Sequence, residues 1–189
     1  MEIKFVKLYD DVHTPTKRSE DAGYDIYPHF EEDFIVINSH ETKMIPTGIK
    51  TAFDGNYVCI LKERGSTGMK GIGQRAGVID SGYRGEWMVP ITNHSEKTLF
   101  ITKLDECETF KKYTGFKKNE IGNLTYELFA MSGFLGKTEN NFIFYPYDKA
   151  ITQAVFLPIM SGKWNEIGED EFNTLDSERG SGKLGSSGK

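Results

Sequence analysis

Short runs of apolar and β-branched residues, separated by glycine and proline, recur along most of this chain. The clearest runs lie at residues 3–8, 22–27, 34–37, 43–50, 57–61, 88–92, 99–101 and 151–159. Each has the length of a strand, and few segments show the apolar period of a helix. Because strand-like runs do not alternate with helical ones, the pattern predicts an all-β barrel or sandwich of jelly-roll type.

The length of 189 residues suits one such domain followed by an extended tail. We predict a β domain at residues 1–160, with an insertion at 103–145 where the strand pattern is lost. Within the insertion, residues 106–113 favour a short helix, and residues 126–131 favour a strand or helical turn. Residues 161–189 have low apolar density and are predicted to form a flexible C-terminal arm.

Composition and charge argue against several classes of function. The formal net charge of −5 disfavours broad binding to nucleic acid, which needs a positive surface. No window is long and apolar enough to span a membrane and no signal region begins the chain, so a cytoplasmic location is expected. Cys59 and Cys107 fit no metal-ligand spacing, and Cys59 lies in an apolar run typical of a buried thiol. The histidines also lack ligand spacing and are assigned no catalytic role: His13, His29, His40 and His94.

Residues 77–87 carry a carboxylate and an aromatic side chain close together. Two apolar residues precede an Asp-Ser-Gly turn and aromatic residues follow it, a pattern that predicts a β-hairpin. The hairpin places Asp80 three residues before Tyr83. A carboxylate held rigidly in this way can act as a general base on a water molecule. An ordinary surface turn is the alternative.

Two further segments place polar groups in or after strands. Asp25 lies within a short aromatic strand, where a carboxylate needs a cation, another partner or a water network unless the strand edge is solvated. Arg64 follows the strand at 57–61 and precedes glycine and hydroxyl residues, a combination suited to an oxyanion or phosphate. The same Gly-Ser-Thr-Gly run also fits a simple turn.

The tail contains a formal G-x-G-x-x-G pattern at Gly180, Gly182 and Gly185. A dinucleotide site is not expected there, because the required strand–turn–helix context is missing. The tail is therefore either simply flexible or a mobile arm whose basic and hydroxyl side chains close over phosphates.

Five segments, in order, closely resemble the five motifs of the trimeric dUTPase family. They are residues 22–26 (AGYDI), 64–67 (RGST), 77–85 (GVIDSGYRG), 150–153 (AITQ) and 179–188 (RGSGKLGSSG). The third and fifth are the most specific, and the region at about 103–145 resembles the insertions of phage-encoded members. The resemblance implies a jelly-roll-type dUTPase β-barrel that assembles as a homotrimer and converts dUTP to dUMP and pyrophosphate with Mg²⁺. A phage-encoded member would act in the host cytoplasm.

The resemblance also implies roles for individual residues. Asp80 matches the carboxylate that activates the water attacking the α-phosphorus, and Tyr83 matches the ring under the deoxyribose that excludes a 2′-hydroxyl. Gly77 and Ile79 match the backbone groups that read the uracil edge. Asp25 matches an aspartate that supports the water shell of a metal ion held mainly by the triphosphate. The other implied substrate contacts are Arg64, Gly65, Ser66 and Gln153 and, from the tail of a neighbouring subunit, Arg179, Leu184, Gly185, Ser186 and Ser187.

Three positions depart from the family pattern. Gly65 stands where a serine usually follows the arginine of the second motif, which leaves the partner of the Ser66 hydroxyl open. Ala150 replaces an arginine of the fourth motif, with Lys149 beside it as a possible substitute. Leu184 replaces the phenylalanine that stacks on uracil. None of these changes removes the expected general base.

Two alternative functions also fit the sequence. A dCTP deaminase, or a bifunctional enzyme, shares the fold and nucleotide class, although the third and fifth motifs favour hydrolysis of dUTP. A regulatory dUTPase-like protein would instead bind a protein partner, such as a repressor, through the insertion at 103–145. The basic residues that form either a partner patch or simply a solvated loop are Lys111, Lys112, Lys117 and Lys118.

Overall fold

The computed structural model describes residues 1–114 and 142–177 of a chain that divides into two units, at 1–159 and 160–189. In the described part of the first unit, the strands are β1 (Ile3–Lys7), β2 (Tyr24–Ile26), β3 (Phe34–Ile37), β4 (Thr42–Pro46), β5 (Ile49–Phe53), β6 (Tyr57–Lys62), β7 (Ile72–Gln74), β8 (Val78–Ile79), β9 (Met88–Asn93), β10 (Thr98–Thr102), β11 (Phe142–Pro146) and β12 (Thr152–Pro158). The helices of this unit are α1 (Gly65–Gly68) and α2 (Glu106–Thr114), and the second unit contains α3 (Glu169–Asn173). None of the helices described is long and apolar enough to cross a membrane.

The strands form four small sheets whose neighbours are mostly distant in sequence. The orders are β1-β5, β11-β10-β3, β2-β12-β6-β8 and β4-β9-β7. Every pair is antiparallel except β10 and β11, which run parallel. Long crossovers between strands, with helices kept to the connections, confirm the predicted all-β class.

Alternation along the strands explains where the core lies. At the start of β9, the partly buried Met88 and Pro90 alternate with the fully buried Val89 and Ile91, as expected when one face of the strand meets the core. Burying each large apolar side chain contributes roughly 1.5–3 kcal/mol. Cys59 belongs to this core, which confirms the predicted buried thiol, and burial raises the pKa of the thiol to about 12.

The predicted hairpin at residues 77–87 is wrong in its pairing. A turn does form, since the Tyr83 N–H donates to the Asp80 carbonyl at 3.0 Å. However, β8 pairs with β6, whereas β9 pairs with β4 and β7 in another sheet. Trp87 is buried and donates its backbone N–H to the Ile49 carbonyl at 2.9 Å, and this contact takes the chain away from β8 before β9 begins.

Two segments that we expected outside the regular strands belong to the sheets. Residues 71–76 lie outside the predicted strand runs, but β7 within them is buried and pairs with β9. Residues 142–145 fell within the predicted insertion, but they form most of β11, and Tyr145 is part of the core. The run Phe-Ile-Phe-Tyr is apolar enough to have been read as a strand. The short helix expected at 106–113 is confirmed as α2, whereas residues 126–131 lie outside the described residues.

An aromatic cluster centred on Phe100 holds α2 against the β11-β10-β3 sheet. The Phe100 ring is fully buried and lies 5.0 Å from that of Tyr113 on α2, 5.3 Å from Phe144 and 5.7 Å from Phe34. We expect Phe100→Ala to lower the free energy of unfolding by about 3–5 kcal/mol, because it leaves a cavity under the helix. Urea denaturation measures this loss. Phe172→Ala on the exposed surface of α3 is the control, and an equal loss in both variants would contradict the cluster's role.

Candidate active site

Asp25 lies on β2, where its backbone is fixed from both sides. Its N–H donates to the Thr16 carbonyl at 2.7 Å, and the strand register sets it opposite Gln153 on β12. Its carboxylate is partly buried and therefore needs a partner. The partner is Arg64, which confirms that the carboxylate is paired with a cation rather than simply solvated.

Arg64 follows β6 and precedes α1, and its guanidinium binds Asp25 with two groups. Nε lies 2.9 Å from Oδ1 of Asp25, and Nη2 donates to Oδ2 at 3.1 Å. Nη1 donates to the Ala150 carbonyl at 3.2 Å, and that carbonyl also accepts from the Tyr145 hydroxyl at 2.6 Å. These three contacts fix the orientation of the Arg64 guanidinium at the end of β6.

Gln153 is held beside this pair by the end of β6. Its Nε2 donates to the Glu63 carbonyl at 2.8 Å, which orients the amide. A Cβ atom on Gly23 would lie 2.9 Å from Oε1 of Gln153, so the glycine of the first motif leaves the space that this side chain occupies. The first and fourth motifs therefore fit each other directly.

These residues line one open cleft of about 670 Å³. Five of the sequence-predicted site residues meet there: Asp25, Arg64, Gly65, Ser66 and Gln153. Ser66 and Gly65 are exposed at the start of α1, so the Ser66 hydroxyl and the backbone N–H groups of both residues can reach a ligand in the cleft. The cleft is also lined by residues of the loop at 16–21, including Lys17 and Arg18. The sequence analysis assigned no site role to this loop.

The third motif does not reach this cleft within one chain. Ile79 pairs with Cys59 and Gly77 accepts the Leu61 N–H at 2.7 Å, so the motif runs along β6 away from Arg64. Asp80 therefore lies beside the start of β6, with its backbone roughly 15–20 Å from that of Arg64 at the usual rise per strand residue. Neither Asp80 nor Tyr83 lines the cleft.

Asp80 and Tyr83 are nevertheless placed for contact with an incoming group. Both are exposed, and the Tyr83 hydroxyl donates to the Glu86 carbonyl at 3.0 Å, which closes the turn. Gly77 has a φ of 101°, and a Cβ there would lie 2.9 Å from the Leu61 carbonyl oxygen. Only glycine fits this close backbone approach without strain.

The other predicted contacts have mixed outcomes. Arg179, Leu184, Gly185, Ser186 and Ser187 lie outside the described residues. Ala150 contributes only its carbonyl, while Lys149 is exposed and does not line the cleft, so it does not substitute there for the missing arginine. Among the basic residues considered for either a partner patch or a solvated loop, Lys112 forms an ion pair with Asp33, and Lys117 and Lys118 lie outside the described residues.

Comparison with known proteins identifies the family. The dUTPase family model matches residues 10–106, just over half of the chain. The chain therefore belongs to the dUTPase family. The matched residues contain the first three motifs. This membership confirms the predicted family and, with it, the predicted enzyme class, a dUTP diphosphatase.

Individual relatives agree in sequence and in fold. The deoxyuridine 5′-triphosphate nucleotidohydrolase of Nautilia profundicola is 27% identical over 193 residues, which cover 100% of both chains. The dUTPase of Staphylococcus bacteriophage 80alpha, solved with dUPNHPP, has a TM-score of 0.67 at 21% identity, over 100% of this chain and 99% of that one. A mutant dUTPase of phage phi11 of S. aureus has a TM-score of 0.58 at 18% identity, over 89% and 98% of the two chains. The structural matches confirm the predicted dUTPase fold.

Proposed function

We propose that this chain hydrolyses dUTP to dUMP and pyrophosphate, with Asp80 as the general base. The observation that carries the proposal is the cleft, in which segments from three motifs, far apart in sequence, meet around one open space. The first motif contributes Asp25, the second contributes Arg64 and Ser66, and the fourth contributes Gln153. A fixed guanidinium, a hydroxyl and an oriented amide are suited to a phosphate chain. Nothing in the described part of the chain favours the deaminase or the regulatory alternative.

In the proposed reaction, Asp80 accepts a proton from water while the water oxygen attacks the α-phosphorus. The bond from the α-phosphorus to the bridging oxygen breaks, and pyrophosphate leaves. Arg64 and Gln153 bind the phosphate oxygens and hold the chain in line for this attack, so that catalysis comes mainly from positioning and electrostatics. Gly77 and Ile79 contact the uracil edge through their backbone, and Tyr83 lies under the deoxyribose.

The separation of Asp80 from the cleft supports a site shared between chains. A base roughly 15–20 Å from the phosphate-binding arginine cannot act on the same phosphate within one chain. We therefore propose a closed homotrimer in which the cleft of one chain faces Asp80 of a second. The tail of a neighbouring chain, with Arg179, Ser186 and Ser187, would then cover the bound nucleotide.

The residues of the cleft fit a magnesium ion that is bound chiefly through the substrate. No group of three or more metal-ligating side chains occurs among the described residues, whereas Asp25 supplies one partly buried carboxylate in the cleft. One carboxylate can accept hydrogen bonds from metal-bound water, which is the usual arrangement for Mg²⁺ on a triphosphate. The ion would neutralise part of the phosphate charge. The phi11 dUTPase was solved to detail the coordination of a structural Mg(II) ion.

The direct test is release of pyrophosphate from dUTP, dCTP, dTTP and UTP in parallel, with Mg²⁺ present. We expect release from dUTP only, because the backbone slot at Gly77 excludes the thymine methyl and Tyr83 excludes a 2′-hydroxyl. Ammonia release from dCTP, measured in the same samples, would indicate the deaminase instead. Tight binding of dUTP without turnover of any nucleotide would favour the regulatory function.

A further inference from the structure

The loop at residues 16–21 forms one wall of the cleft and is held in a defined shape. The Asp25 N–H donates to the Thr16 carbonyl at 2.7 Å, which ties the start of the loop to β2. A turn closes its other end, where the Asp21 N–H donates to the Arg18 carbonyl at 3.2 Å. Side chains of this loop therefore have fixed starting points at the edge of the cleft.

Most of the charges that line the cleft are already paired with each other. Arg64 binds Asp25, as described above, and Arg18 binds Asp21 through Nε at 3.0 Å and Nη2 at 3.1 Å. The Arg18 hydrogen bonds hold the pKa of the Asp21 carboxyl below its usual range, so this carboxylate stays charged at neutral pH. Each pair contributes no net charge.

Lys17 is the remaining cation of the cleft lining, and among the described residues it has no carboxylate within ion-pair distance. Its Nζ donates to the Asp21 carbonyl at 2.8 Å and lies 5.4 Å from the centre of the Tyr24 ring. The Arg18 carbonyl accepts a second, longer hydrogen bond from Nζ at 3.5 Å. The ammonium is thus positioned by neutral carbonyls and an aromatic face, and its charge acts on the Asp21 carboxylate only at longer range than an ion pair. Lys17 therefore gives the cleft lining a net positive charge. The fourth motif adds no cation at its first position, because Ala150 stands there in place of the usual arginine.

We infer that Lys17 binds the phosphate chain of the nucleoside triphosphate, as a specificity-determining contact for the charged end of the substrate. The inference rests on the proposed function. A triphosphate brings several negative charges into a cleft whose other two cations are already bound to carboxylates. The flexible lysine stem lets the ammonium leave the Asp21 carbonyl and meet a phosphate oxygen without disturbing either ion pair.

The test compares Lys17→Gln with Lys7→Gln in the full-length protein. Lys7 is a matched control, because its Nζ also donates to a loop carbonyl, that of Asp10 at 2.9 Å, and it lies outside the cleft. For each variant, calorimetry gives the Kd of a non-hydrolysable imido analogue of dUTP and the Kd of deoxyuridine, with Mg²⁺ present. Steady-state assays give KM and kcat, and Lys17→Arg tests whether a positive charge restores binding.

We expect Lys17→Gln to raise the Kd of the triphosphate analogue and the KM about tenfold, the effect typical of losing one charge-assisted contact. Its Kd for deoxyuridine and its kcat should stay near wild type, Lys7→Gln should match wild type throughout, and Lys17→Arg should recover most of the loss. An unchanged Kd for the analogue, or equal weakening of both ligands, would overturn the inference. A wild-type protein that binds neither ligand would instead reject the proposed function, so the two failures are distinguishable.

Discussion

Asp80→Asn is expected to abolish hydrolysis of dUTP while leaving nucleotide binding intact. The substitution keeps the size and hydrogen-bonding shape of the side chain but removes the proton acceptor, so the rate should fall by roughly 10²–10⁴. The residue is exposed in a turn that the Tyr83 N–H closes onto the Asp80 backbone, so the fold should be unaffected. Pyrophosphate release measures the rate, and calorimetry with the imido analogue measures binding.

The control for this substitution is Asp54→Asn, in the neighbouring turn between β5 and β6. Its Oδ1 accepts the Asn56 N–H at 2.8 Å, and an asparagine oxygen can accept the same bond. We expect this variant to hydrolyse dUTP at the wild-type rate. Asp80 is not the base if its substitution lowers the rate less than tenfold, or if the loss is matched by loss of analogue binding.

Mixing two inactive variants is expected to restore activity, because the proposed site takes Asp80 and Arg64 from different chains. Asp80→Asn lacks the proposed base, and Arg64→Gln lacks the guanidinium that Asp25 orients and that we propose binds the phosphate chain. In a closed trimer that contains both variants, one site of the three combines an intact Asp80 with an intact Arg64. Mixed trimers purified through two different tags should therefore reach about one third of wild-type activity.

The comparison that isolates this effect pairs Asp80→Asn with the double variant that carries both substitutions. No site in that mixture can have an intact base, so it should remain inactive. If the mixture of single variants is as inactive as its parents although both chains are present in the purified trimers, the base and the arginine act within one chain. The distance inferred from the register of β6 would then be misleading.

Local pattern was sufficient to predict most strands but not how they pair. Alternation and glycine placed β9 and β12 correctly, and a cation was one of the alternatives that the sequence left open for Asp25, which pairs with Arg64. The predicted hairpin at 77–87 was wrong because the sheet that β9 joins depends on the burial of Trp87 against β5. That contact joins residues distant in sequence. Tertiary contacts of this kind decide sheet order and leave no local signal.

The residues of the proposed site could be predicted from motifs, but the separation of the third motif from the cleft could not. The motifs give the chemical types, whereas the separation of Asp80 from Arg64 follows from the direction in which β8 runs along β6. Lys17 was missed for a different reason. The role proposed for Lys17 depends on the pairing of Arg18 with Asp21 and of Arg64 with Asp25. A sequence does not show which charges neutralise each other.

The parallel pairing of β10 and β11 makes this connection the place where the chain can change length. Because parallel neighbours run in the same direction, the connection must return from the end of β10 to the level of its start before β11 begins. Any connection longer than about a dozen residues can therefore give the same register. Gains and losses of sequence are nevertheless limited to the residues before β11, because Tyr145 at its end shares the Ala150 carbonyl with Arg64. A shortened form of the protein should therefore end its deletion before Phe142.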